Sequence, residues 1–284
     1  MTSKKNAHEP LWLKPVLLSV SGLFMLIFII LPLATVFMEA LRSGIAVYLQ
    51  AFQDPDVAAS VRLTLFTAAI CVPVNAVFGV FIAWLVTKYE FPGRNILITL
   101  IQLPISISPV IAGLLFIFIF GSFGWFGTFL LDHNIRIVFA VPGIVIATMF
   151  VSSPFVARSL IPLMRELGTD DEEAAVTLGA SGFQMFWRVT LPNIKWGLLY
   201  GIILTNAKAM GEFGAVVVVS GLIRGVTTTM PLYIDILFGE FLFRSAFAVA
   251  SLLTLLALLT IIAKAVLGYI MAAQRKSALI EVEQ

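Results

Sequence analysis

The feature that most restricts this chain is a series of long stretches without a charged residue. Between Lys14 and Glu39 lie 24 uncharged residues, between Arg62 and Lys88 there are 25, and between Arg136 and Arg158 there are 21. A helix needs roughly 20 apolar residues to cross a hydrocarbon core about 30 Å thick, so each stretch predicts one span. The gap from Arg94 to Asp132 holds 37 uncharged residues, too few for two helices and a turn. It predicts one span at 96–120, followed by the glycine and aromatic stretch Gly121 to Gly127, which reads as an interfacial loop or a short re-entrant piece. A fifth span is expected at 196–219, apolar except for Lys208 and Glu212. A sixth is expected at 246–269, with Lys264 reaching towards an interface. With 16–38, 63–87 and 138–157 these make an all-α membrane protein of six transmembrane helices. They form one domain over 16–270, with tails at 1–15 and 271–284.

Composition agrees. Apolar residues make up 60% of the 284 and charged residues 12%, about half the charge of an ordinary soluble domain. A cytosolic enzyme, a disordered chain and a disulfide scaffold are thereby excluded, and Cys71, alone, closes no internal disulfide. A net charge of +2 is too small to argue for nucleic acid, so the partner expected from composition is membrane lipid. With both termini inside, the inner segments carry Lys4, Lys5, Lys14, Lys88, Arg94, Arg158, Arg165, Arg188, Lys195, Arg275 and Lys276. The outer loops carry Arg42, Arg62, Arg136, Arg224 and Arg244. Eleven against five sets the expected orientation by the positive-inside rule. The first span has a basic start like a signal sequence but no small-x-small cleavage site, so an uncleaved helix is expected.

Enzyme chemistry finds little to work with. No G-x-x-x-x-G-K-[ST] string exists for a nucleotide, and two histidines and one cysteine make no metal site. His8 and His133 fall in a tail and an outer loop, away from any mid-membrane serine. A secondary carrier would place several ionisable groups at mid-membrane, where this chain offers Lys208 and Glu212. These are four apart, on one helix face, able to pair. With Thr205, Asn206, Gly211 and Gly214 they form either a face lining a pathway or a buried ion pair between subunits. Pro104 and Pro109 bracket Ser106 and Ser108 in the third span, which suits either a pathway-facing break or a kinked packing helix.

The one long inner segment, Arg158 to Lys195, carries the clearest local signal. Thr169 and Glu172 have capping-box spacing, and Asp170 to Glu173 set four acids against the positive end of a helix dipole. A short helix at about 170–180 is expected, stopped by Gly179 or Gly182. It is too polar for lipid and too short to be stable alone, so it must dock on something. The aromatics of 183–188 read as an interfacial turn, after which Leu191 and Pro192 start a new direction.

Glu173-Ala174-Ala175, three residues, Gly179, nine residues and Val189-Thr190-Leu191-Pro192 reproduce the pattern E-A-A-x3-G-x9-I-x-L-P, with Val189 for the usual Ile. On that motif the chain resembles the permeases of binding-protein-dependent ABC importers. Within them it resembles the sulfate/thiosulfate permeases over nearly its whole length. The stretches that carry this are 72–87, 91–94, Pro109 to Leu114, Gly211 to Ala215 and Ser220 to Gly225. Its Gly-Glu-Phe-Gly-Ala at 211–215 differs from the Gly-Glu-Tyr-Gly-Ser of the CysT (also CysU) type; molybdate and tungstate permeases share the former kind of stretch.

The resemblance implies an ABC type I importer transmembrane domain (MetI-like) and a non-catalytic subunit. Its partners would be a CysT/CysU-like sister permease, two copies of a cytoplasmic CysA-like ATPase, and a periplasmic sulfate/thiosulfate-binding protein. ATP and Mg would be bound by the ATPase, with no cofactor in this chain. It further implies that the helix at 170–180 couples to the ATPase through Glu172, Glu173, Ala174, Ala175, Gly179, Leu191 and Pro192.

Overall fold

The structure, a computed structural model, describes residues 12–282. The tails expected at 1–15 and 271–284 lie partly outside those residues, Lys4, Lys5 and His8 among them. The described residues run α1 (Leu13–Met25), a π-turn (Leu26–Ile30), α2 (Leu31–Leu41), α3 (Ile45–Ala51), α4 (Pro55–Lys88), α5 (Arg94–Ser106), α6 (Pro109–Phe120) and α7 (Gly127–Asp132). There follow α8 (Val141–Ser152), α9 (Pro154–Leu167), α10 (Asp170–Thr177), α11 (Gly182–Met185), a second π-turn (Phe186–Thr190), α12 (Leu191–Met210), α13 (Gly214–Val219), α14 (Met230–Gly239) and α15 (Phe243–Val282).

Among the described residues four helices are long and apolar enough to cross a membrane: Leu13–Leu41, Pro55–Lys88, Val141–Leu167 and Phe243–Tyr269. A fifth span exists only if α5 and α6 are taken together, and they are bent by 107°. The single helix expected at 96–120 is therefore two. Pro109 has no N–H to continue a helix and pushes the residue before it out of the α region. Ile107 and Ser108 accordingly sit extended, at ψ 137° and 131°.

The span expected at 196–219 is likewise not one helix. α12 ends at Met210, with Gly211 at its C-cap, and α13 starts at Gly214. The stretch 183–188, read as an interfacial turn, is helical, and Leu191-Pro192 continues the helix rather than redirecting it. Both π-turns stop directly before a Leu-Pro pair, Leu31-Pro32 and Leu191-Pro192. A proline in a helix removes one hydrogen bond and crowds the carbonyl four residues back. Widening that turn to i→i+5 absorbs both defects without a break.

The helices assemble through small residues. α4, α9 and α12 pack on one another around buried Val80, Ala83, Val156, Leu160, Met164 and Ile194. A Cβ on Gly79 of α4 would lie 2.5 Å from Cβ of Val156, and one on Gly201 of α12 would lie 2.9 Å from its Cα. Both helices thus approach α9 at the same residue, as close-packed membrane helices do at small side chains. Ser159 Oγ adds a hydrogen bond to the Gly197 carbonyl at 3.0 Å. α13 packs between α6 and α8, and α14 lies on α15, which also receives α2. Lys264 sets its ammonium 5.2 Å from the centre of the Tyr200 ring.

Candidate functional site: a short acidic helix and two adjoining helix breaks

α10 exists because its ends are well served. The acids at 170–173 all fall in its first turn, where the helix dipole favours negative charge. Gly179, at φ 90°, ends it. Ala180 N–H reaches the Ala175 carbonyl at 3.0 Å and Gly179 N–H the Val176 carbonyl at 2.9 Å. These two bonds form the left-handed cap of a Schellman motif. Gly182 begins α11 instead.

The capping box expected from Thr169 and Glu172 does not form. Thr169 Oγ1 donates to Glu173 Oε1 at 2.7 Å and caps no backbone N–H. Glu172 has stronger partners elsewhere. A complete capping box stands at Ser181 and Gln184, opening α11.

Glu172 turns inward. Its Oε2 lies 2.9 Å from Lys88 Nζ, with both side chains nearly buried, and its Oε1 accepts from Thr190 Oγ1 at 2.7 Å. Lys88 also donates to the Gly168 carbonyl at 2.5 Å. Beside them, Asn193 Nδ2 donates to Asp171 Oδ2 at 2.9 Å. α10 is thus tied to the last residue of α4 and to the first turn of α12. Arg94 Nε fixes the neighbouring corner by donating to the Val86 carbonyl at 2.7 Å. No sequence spacing announced this cluster, because its members lie far apart in the chain.

Away from that anchor α10 presents an apolar tip. Leu178 is 88% exposed, and Val176 and Phe183 are exposed with it. Glu173 and Ala174 also face solvent, Ala175 is half-buried, Leu191 packs against the α4–α9–α12 core, and Pro192 is exposed.

The second site lies where two helix breaks meet. α6 begins at Pro109 and α13 at Gly214, and a Cβ on Gly214 would lie 3.0 Å from Cβ of Pro109. A Cβ on Gly113 would stand 2.7 Å from the Ala215 carbonyl. Glu212, 2% exposed in the linker, takes the Ala215 N–H on Oε1 at 3.0 Å and Lys208 Nζ on Oε2 at 2.8 Å. The carboxylate therefore closes the end of α12 to the start of α13.

Of the other residues singled out from the sequence, Thr205 is buried and bonds the Gly201 carbonyl of its own helix at 2.8 Å. Asn206 Nδ2 faces Met210 Sδ at 3.5 Å. Gly211 is exposed, as are Ser106 and Ser108, which flank the break of α5 from α6. The structure brings Pro109 against Gly214. Among the described residues no hydrogen bond joins Ser106 or Ser108 to Lys208 or Glu212. Sequence reading missed Pro109 and Gly113 as contact residues. The prolines were visible as a break, but their partner across the fold was not.

Comparison with known proteins follows the same lines. The sulfate transport system permease protein CysW of Escherichia coli (strain K12) is 47% identical over 267 residues, covering 94% of this chain and 92% of that protein. The sulfate transport system permease protein CysT of the same organism is 36% identical over 242 residues, covering 85% and 87%. The difference agrees with Gly-Glu-Phe-Gly-Ala at 211–215. A bacterial alginate ABC transporter, in complex with an alginate pentasaccharide-bound periplasmic protein, has a chain that superposes with a TM-score of 0.74 at 18% identity, covering 89% of this chain and 92% of its own. That likeness speaks for the fold. The family model described as binding-protein-dependent transport system inner membrane component matches residues 75–276, and the chain belongs to that family.

Proposed function

We propose that this chain is the permease subunit of an ATP-driven importer that moves sulfate or thiosulfate across the cytoplasmic membrane by alternating access. It crosses six times with both termini inside, counting α5 with α6 and α12 with α13 as one crossing each. It works with a CysT-like sister permease, two copies of a CysA-like ATPase that bind ATP and Mg, and a periplasmic sulfate/thiosulfate-binding protein. The observation that carries this reading is α10, a short helix held firmly at one end while its other end offers Val176 and Leu178 to solvent. Such a helix suits a groove of a partner, and an ATPase supplies it. The substrate class rests on the 47% identity to a sulfate permease.

The breaks at Ile107–Ser108 and Gly211–Phe213 suit a pathway, because irregular backbone at membrane depth is tolerated where it lines a cavity. Thr205, Asn206, Lys208, Gly211, Glu212, Gly214, Ser106 and Ser108 are its candidate lining. Lys208 already neutralises Glu212, so a passing oxyanion meets a compensated cation that holds it weakly enough to let go.

The test is uptake of labelled sulfate into vesicles carrying the four reconstituted components. ATP-dependent uptake that thiosulfate competes for and equal molybdate does not is the expected result. Preferential competition by molybdate overturns the substrate, and uptake without the ATPase overturns the importer.

A further inference from the structure

Glu172 precedes the Glu-Ala-Ala triplet, and its side chain is spent within the chain. Oε2 takes Lys88 Nζ at 2.9 Å and Oε1 takes the Thr190 hydroxyl at 2.7 Å. The side chains are 11% exposed for Lys88 and 13% for Glu172. The crevice around them leaves about 20 Å³ of open space, about one water's worth. An ion pair this dry is costly unless its remaining hydrogen-bonding positions are filled. Here Thr190 fills one on Glu172 and the Gly168 carbonyl one on Lys88. Such a pair adds little net stability over a well-packed apolar substitute, but losing one partner strands a charge. What it supplies is a fixed joint.

The joint is well placed to transmit force. Lys88 is the last residue of α4, Thr190 directly precedes α12, and Asn193, bonded to Asp171, lies in the first turn of α12. α4 and α12 both meet α9 at Val156 through Gly79 and Gly201, leaving no slack between them. At the far end of α12 stand Lys208 and Glu212, and Glu212 holds the start of α13. A push on α10 therefore reaches the two helix breaks through one packed body.

We propose that Glu172 and Lys88 are positioning residues for transport: an inward clamp that makes α10 move α4 and α12 together, while Glu173 and the apolar tip face the ATPase. This rests on the importer reading, and the test separates the two. In the reconstituted complex, sulfate taken up per ATP hydrolysed is measured for the wild type, Lys88→Met, Glu172→Gln and the exchange Lys88→Glu with Glu172→Lys. Both single variants should lower the ratio about two- to thirty-fold, the range spanned by residues that carry coupling between sites, with the ATPase still co-purifying. The exchange should recover much of the loss.

An unchanged ratio in the single variants, or an exchange as poor as either, overturns the clamp. So does loss of the ATPase from Glu172→Gln but not from Lys88→Met, which would make Glu172 an ATPase contact. Should a charge variant fail to reach the membrane, Thr190→Val, which removes only the hydroxyl on Glu172, must lower the ratio as well. A wild type without ATP-driven sulfate uptake defeats the functional reading instead.

Discussion

Glu212 serves two neighbours with one carboxylate, and its two oxygens can be tested apart. Glu212→Gln keeps an oxygen for the Ala215 N–H and loses the charge that faces Lys208; Glu212→Ala loses both. A lost cap costs about 1 kcal/mol, so the Ala variant should melt lower than the Gln variant in detergent, and equal melting temperatures would reject the capping role. Lys208 is the more exposed partner, at 35% against 2% for the Glu212 side chain, so Lys208→Ala should impair sulfate uptake more than assembly. A subunit stripped from its complex by that change would mean a structural ion pair. At this scale the spacing showed that Lys208 and Glu212 are able to pair, and they do, although Glu212 lies past the end of α12 rather than on one helix face with Lys208. It did not show that Glu212 serves the first turn of a new helix, since that depended on Gly211 ending the old one. Nor could Thr169 and Glu172 reveal that their capping box would be broken by Lys88, which competes for Glu172 from another helix.

The elements depend on close approach. Ala at Gly201 would put its Cβ 2.5 Å from Ser159 Oγ and 2.9 Å from the Val156 backbone, and overpacking of this kind costs about 1–3 kcal/mol. Gly201→Ala should therefore lower the melting temperature of the purified subunit, whereas Gly22→Ala, with nothing near its Cβ, should not. Equal effects would show that α12 is free to move off α9. The prolines illustrate how far sequence reading reaches for an element. Pro109 ends one helix and starts another, while Pro32 and Pro192 sit in continuous helices behind π-turns. Proline chemistry announces a disturbance at each place, but its form is decided by what packs there. α6 gains α13 as a neighbour by turning through 107°, whereas Leu191 keeps its place in the α4–α9–α12 core by running straight on.

For the whole molecule, α10 should be the point at which ATP energy enters. Glu173 is exposed, and among the described residues its side chain bonds only locally, to Thr169, so Glu173→Lys should leave the subunit in the membrane fraction and abolish ATP-driven uptake. Normal uptake by that variant would remove the coupling role from the triplet. The helix α1 and the part of α15 between Leu255 and Tyr269 show apolar side chains outward, as a chain with lipid or a sister subunit around it must. Charge spacing alone determined the helical membrane class of this protein, because the bilayer's demand for apolar length acts on every segment separately. The same holds for the existence of α10, whose first-turn acids and stopping glycine are local signals. Which helices stay whole was another matter, as was the meeting of Pro109 with Gly214 and the burial of Glu172 against Lys88. These arise between segments distant in sequence, where side-chain volume and the desolvation of paired charges set the geometry, and only the tertiary structure decided them.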